Sequence, residues 1–118
     1  MARARYPRTP DRRYFVAKGR LWRSTDPRLS EAERRAAVKA LMRARNAVRL
    51  AKQSGAGEED DAMRAARHAV NEAKVALGER GPVWWKDGAE PQDRLSPANS
   101  TYAEWWAALS EDERAAGS

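Results

Sequence analysis

The residues able to do chemistry are few and far apart. The chain has a single histidine, His68, and no cysteine. Hydrolytic and acid–base enzymes need a nucleophile and a base held within hydrogen-bond reach. A helix drawn at 100° per residue puts His68 about 160° from Val70, on the outward face, so it reads as a solvated side chain. Glu58, Glu59, Asp60 and Asp61 could attract a divalent cation, but four consecutive acids at a helix start point in different directions and suit the positive end of the helix dipole better. No Gly-rich phosphate loop and no HExxH pattern is present. Neither a catalytic residue, nor a metal site, nor a cofactor is expected.

What remains is charge and aromatic surface. Arg12, Arg13, Lys18, Arg20 and Arg23 are interleaved with Tyr14, Phe15 and Trp22, and rings beside arginines can stack on unpaired bases. Further on, Arg35, Lys39 and Arg43 recur at i, i+4 and i+8, with Asn46 and Arg49 continuing over about 21 Å of helix. No acid interrupts this ridge after Glu33. Such a ridge can neutralise the phosphates of DNA or RNA, although a basic helix face is also compatible with simple solvation.

The net charge of +6 divides unevenly: residues 1–57 carry sixteen basic and four acidic side chains, residues 58–118 seven and thirteen. This polarity could steer a polyanion to one end or let the two halves attract. Eighteen of the 23 basic residues are arginine, which a GC-rich coding composition would also produce; composition does not explain the polarity. The expectation is a small, non-catalytic nucleic-acid-binding protein that contacts phosphates through its basic half. The alternative is a protein-interaction or adaptor module, or a homodimer, docking through one of Trp84 and Trp85 together with outward Leu50 and Val75.

These residues need elements to position them. The string SEAE at Ser30 places a serine N-cap three residues before Glu33, a capping box that opens a helix over 31–53. Its seam is Ala37, Leu41, Ala44, Val48 and Ala51, at alternating spacings of four and three, and Gly55 suits its left-handed end. Arg45 falls about 40° from Leu41, beside this seam, and can snorkel past the alanines to water. A second helix over 58–77 carries Met63, Ala66, Val70, Ala73 and Leu77, and Gly78 ends it. Folded back about Gly57, the two seams meet with each large side chain against an alanine, so an antiparallel helical hairpin follows.

A short β-hairpin is expected over 12–23, a tryptophan-containing loop over 78–100, and an amphipathic helix over 101–115, capped by Thr101 and Glu104. In GPVWW, Pro82 blocks a helix, and neighbours in an extended chain point oppositely. Only one of Trp84 and Trp85 can then enter a core, joined there by Trp22, Trp105 and Trp106. If Trp22 serves the core it cannot easily stack on a ligand as well. The aromatic segments are expected to cover the helical hairpin, which is too small to stand alone.

The fold class is therefore mainly α: an antiparallel helical hairpin with a short N-terminal β-hairpin and a C-terminal amphipathic helix, in one domain over 1–118 whose first eleven residues form a flexible basic arm. The strings GRLWR (19–23) and GERGPVWW (78–85) resemble a family of small, uncharacterised bacterial proteins, over roughly residues 6–106. The resemblance implies a free-standing bacterial protein and supplies no active-site motif. No apolar run approaches the roughly 18 residues that span a bilayer, so no membrane association and a cytoplasmic location are expected.

Overall fold

The computed structural model describes residues 5–118 and is mainly helical, with one two-stranded antiparallel sheet. The chain divides into two compact units, Thr25–Trp84 and the pair of segments Met1–Ser24 and Trp85–Ser118.

In the Thr25–Trp84 unit, helix α1 spans Glu31–Gln53 and α2 spans Asp61–Ala76. Ser30 caps α1 reciprocally with Glu33, as the SEAE string predicts. Both helices end in the same six-residue turn. The amide of Ala56 bonds to Ala51 and that of Gly55 to Lys52; the amide of Glu79 bonds to Lys74 and that of Gly78 to Val75. The turn requires a left-handed residue just after the helix, and Gly55 and Gly78 supply it with φ of 84° and 78°. α2 starts three residues later than expected. Glu58 pairs with Arg67, and the Asp60 carboxylate accepts from the Gly57 amide, so these acids build the turn before the helix rather than its first coil.

The two helices bury their seams in two clusters. Ala37 and Leu41 meet Ala73 and Leu77 at one end, with Leu29 and Val70 alongside. Val48 and Ala51 meet Met63 and Ala66 at the other, again with Val70. The start of α1 thus lies against the end of α2, an antiparallel hairpin in which alanines give the large side chains room. Gly78 seals the open end: its neighbour Leu77 accepts from the Asp26 amide at 2.8 Å. A Cβ on Gly78 would sit 2.7 Å from that of Asp26 and 3.1 Å from Cδ1 of Trp84.

The other unit is organised on strands β1, Tyr14–Ala17, and β2, Arg20–Arg23, paired with Phe15 opposite Trp22 and Val16 opposite Leu21. Lys18 and Gly19 turn the chain with positive φ at both positions, the two-residue turn whose twist matches that of the strands. Alternation buries Tyr14, Val16 and Leu21 on one face. Both edges are covered. Pro7 and Thr9 bond to Val16 and Tyr14 along β1, and Leu21 exchanges bonds with Arg94 and Leu95 along β2.

Three expectations change in this unit. Residues 1–4 of the anticipated arm lie outside the described residues, but Thr9 is buried and Arg8 bridges Phe15, because β1 leaves an edge of backbone groups to satisfy. The helix expected over 101–115 is two: α3, Ala103–Ala108, and α4, Glu111–Ala116. Leu109 is extended between them, and Ser110 with Glu113 forms a second capping box that restarts the helix. Thr101 does not cap α3; its amide and hydroxyl are taken by the Gln92 side chain, and Tyr102 occupies the cap position. A short 3-10 helix, Pro97–Asn99, lies inside the expected loop.

The tryptophans also divide differently. Only Trp85 is buried; Trp22, Trp84, Trp105 and Trp106 are half-buried. Trp85 meets Tyr14 edge-on at 5.6 Å, Tyr14 meets Tyr102 at 5.7 Å, and the chain of rings runs on through Trp105 to Trp106. Trp84 belongs to the helical unit, against Gly78. The doublet is therefore divided between the two units, with Trp85 buried in one and Trp84 half-buried in the other.

Candidate nucleic-acid interface

From Arg34 to Lys52, α1 carries seven basic side chains and no acid. All seven, Arg34, Arg35, Lys39, Arg43, Arg45, Arg49 and Lys52, are exposed. The seam forces this arrangement: with every third or fourth residue committed to the partner helix, the intervening positions must face water. Among the expected ridge residues, Arg35 reaches back to Glu31 at 3.0 Å and Arg49 donates to the Asn46 side chain at 2.5 Å. Arg34 shares Glu31, whose carboxyl is held below its usual range by the two guanidiniums. Lys39 and Arg43 have no ion pair with any described residue. Beyond the first turn the ridge is therefore not neutralised from within its own helix.

The N-terminal set of arginines is split by strand alternation. Arg23 faces the core side of β2, with its side chain only 4% exposed, and binds Asp93 through two bonds of 3.1 and 2.7 Å. Arg13 pairs with Asp87 and lies 4.8 Å over the Trp85 ring, with Arg23 at 5.7 Å from the same ring. The Arg13 guanidinium lowers the Asp87 pKa, and Asp87 in return raises that of Arg13. These two arginines hold the fold together and are not free to meet a ligand. Arg12, Lys18 and Arg20 are exposed, Arg20 donating once to the Arg94 carbonyl at 2.8 Å.

The residues expected at a protein interface do not gather. Trp85 is buried with its indole N–H on the Ala89 carbonyl at 2.9 Å, which removes it as a surface anchor. Trp84 is half-buried. Leu50 and Val75 are exposed, at 50% and 40%, on separate helices. Val38 and Met42, exposed on α1 one turn apart, were not singled out by the seam pattern, because they lie just outside its stripe.

The chemistry set aside in the sequence has these surroundings. His68 is exposed and pairs with Glu72, its neighbour one turn on. Among the described residues, no group of three or more His, Asp or Glu side chains could hold a metal ion, and no helix is long and apolar enough to cross a membrane.

One polar cluster is tighter than the sequence suggests. The Tyr102 hydroxyl donates to the Asp11 carboxylate at 2.6 Å, which also accepts from the Thr9 hydroxyl at 2.7 Å. Burial pushes the Asp11 carboxyl upward, but the bonds from Tyr102, Thr9 and the Arg13 amide outweigh it and hold it below the ordinary 3.8. Burial, and then the bond to Asp11, raise the Tyr102 phenol above its ordinary value. Both effects favour the hydrogen-bonded pair, which ties α3 to the chain before β1. The chain matches no protein family, no curated protein and no solved structure.

Proposed function

We propose that the protein binds the phosphodiester backbone of nucleic acid through the outer face of α1. The observation that carries this reading is the run from Arg34 to Lys52, seven exposed cations without an intervening acid. Arg35, Lys39 and Arg43 form its outer line with Arg49 beside them, while Arg45 and Lys52 lie nearer the seam. A cation ridge on a straight helix offers point charges at a rise of about 6 Å per four residues, which suits a periodic line of phosphates and reads no base edge. Binding is then non-catalytic and weakly dependent on sequence.

A docking patch for a protein partner, or for a second copy, has weaker support. Leu50 and Val75 are single exposed side chains on different helices, and Val38 with Met42 is flanked by Arg34, Arg35, Arg45 and Arg49. Scattered apolar residues of this kind are ordinary on a surface.

The test is a mobility-shift titration at low salt with duplex DNA, single-stranded DNA and RNA, using the full chain and an Arg35→Ala, Lys39→Ala, Arg43→Ala triple variant. A complex with the wild type that weakens in the triple variant supports the reading. The absence of any complex with all three nucleic acids overturns it.

A further inference from the structure

Strand alternation does more than bury Arg23; it sorts the aromatic residues of the β-hairpin. Tyr14, Val16, Leu21 and Arg23 take the inner face. Phe15 and Trp22, directly opposed in the ladder, must then share the outer one. Both are half-buried rather than sealed. The bridge from Arg8 to Phe15 extends this face by one more row and places Arg8 level with Phe15. Arg20, opposite Ala17, lies on the same face of β2.

Tyr6 completes the surface. Its ring stacks on Phe15, with centroids 5.8 Å apart and planes inclined by 26°, yet it remains 51% exposed. Arg5, Tyr6, Arg8 and Phe15 line an open cleft. An exposed phenol is an amphipathic group, and a ring already packed on a second ring has little freedom left to lose on binding. Arg5 and Arg8 are exposed and have no ion pair with any described residue.

We propose that this outer face is a stacking platform for unpaired nucleobases, with Tyr6 and Phe15 as the ring surface and Arg5, Arg8 and Arg20 as contacts for the flanking phosphates. A duplex hides its base faces, so the occupant is a single strand. An exposed ring stacked on a half-buried one, with cations beside them on a sheet face, matches the two halves of such a ligand, flat apolar bases and a charged backbone. The proposal rests on the phosphate-binding reading of α1 and adds a strand preference to it. The conflict over Trp22 in the sequence is also eased: Trp22 lies half-buried on this outer face beside Phe15, while Tyr14 takes the core side.

The test compares a short oligodeoxythymidylate with an abasic strand of the same length, and hence the same charge, by fluorescence anisotropy at one moderate salt concentration. The platform predicts that the base-bearing strand binds at least about fivefold tighter, since each stacked base contributes a measurable increment. Tyr6→Ala should reduce that preference and leave abasic binding unchanged, and Phe15→Leu, which keeps an apolar side chain in the half-buried position, should do the same. Equal binding of the two strands by the wild type overturns the platform alone. So does a preference that survives both substitutions. If neither strand binds, the platform falls, and the α1 reading is then decided separately by the duplex DNA arm of the mobility-shift titration.

Discussion

Arg23 lays its guanidinium against the carboxylate of Asp93, two bonds of 3.1 and 2.7 Å that join β2 to a segment seventy residues later in the chain. The arginine is almost wholly withdrawn from water, whereas Asp93 keeps about a third of its side-chain exposure. Removing the aspartate therefore takes the carboxylate away from a buried cation. Asp93→Ala should destabilise the chain by about 3 kcal/mol, near the lower end for a broken buried pair because of that residual access to water. Denaturant titration checks this. Arg23→Met in the same background should recover part of the loss, which a surface arginine would not do.

The doublet Trp84–Trp85 makes a second contrast. Trp85→Ala empties a buried position between Tyr14 and two guanidiniums and should cost about 3–5 kcal/mol. Trp84→Ala removes a half-buried ring and should cost about 1–2 kcal/mol. Paired urea titrations of the two variants give the ranking; equal costs would contradict the difference in burial between the two indoles.

Gly78 joins backbone conformation to packing. Its φ is 78°, and a methyl group there would meet the Asp26 Cβ at 2.7 Å. Gly78→Ala should destabilise the helical unit by about 1–3 kcal/mol. Gly55 has a similar φ but no neighbour within 4 Å of a built Cβ, so Gly55→Ala should cost less. Thermal unfolding of the two variants, followed by circular dichroism, separates the steric part from the conformational one.

The Asp11–Tyr102 pair makes stability depend on pH at both extremes. The folded-state pKa of Asp11 is depressed, so its contribution is present above the ordinary 3.8 and is lost as pH falls through the folded value below it. The folded-state pKa of Tyr102 is raised, so its contribution is present below the ordinary 10.0 and is lost as pH rises through the folded value above it. Tyr102→Phe should remove the alkaline component, shrink the acid one, and cost about 1 kcal/mol at neutral pH, since the carboxylate is partly wet. Unfolding midpoints measured from acid to alkaline pH provide the check.

Periodicity made the helical hairpin legible, because alternating spacings of four and three with a large residue facing each alanine leave few other ways to bury the seam. Capping chemistry placed both ends of α1. The same signal stands in SEDE at Ser110, where an amphipathic stripe running from Tyr102 to Leu109 suggested a single helix; the local cap won over the longer stripe. The split of the N-terminal arginines was not legible as function, since interleaved basic and aromatic residues look alike from either side of a strand. Asp87 and Asp93, the partners of Arg13 and Arg23, lie about seventy residues away, and no local pattern announces them. The pairing of residues 7–9 with β1 is equally silent in the sequence, because it runs through backbone groups, which leave no side-chain signature.

The salt dependence of binding tests the central claim most directly. If the α1 ridge tracks phosphates, the logarithm of the binding constant should fall linearly with the logarithm of salt concentration, with a slope near −0.9 per phosphate neutralised on duplex DNA. The Arg35→Ala, Lys39→Ala, Arg43→Ala variant should then lose roughly 2–3 units of that slope while its unfolding midpoint stays close to that of the wild type. A slope unchanged by the three substitutions, or a wild-type affinity indifferent to salt, would contradict the account.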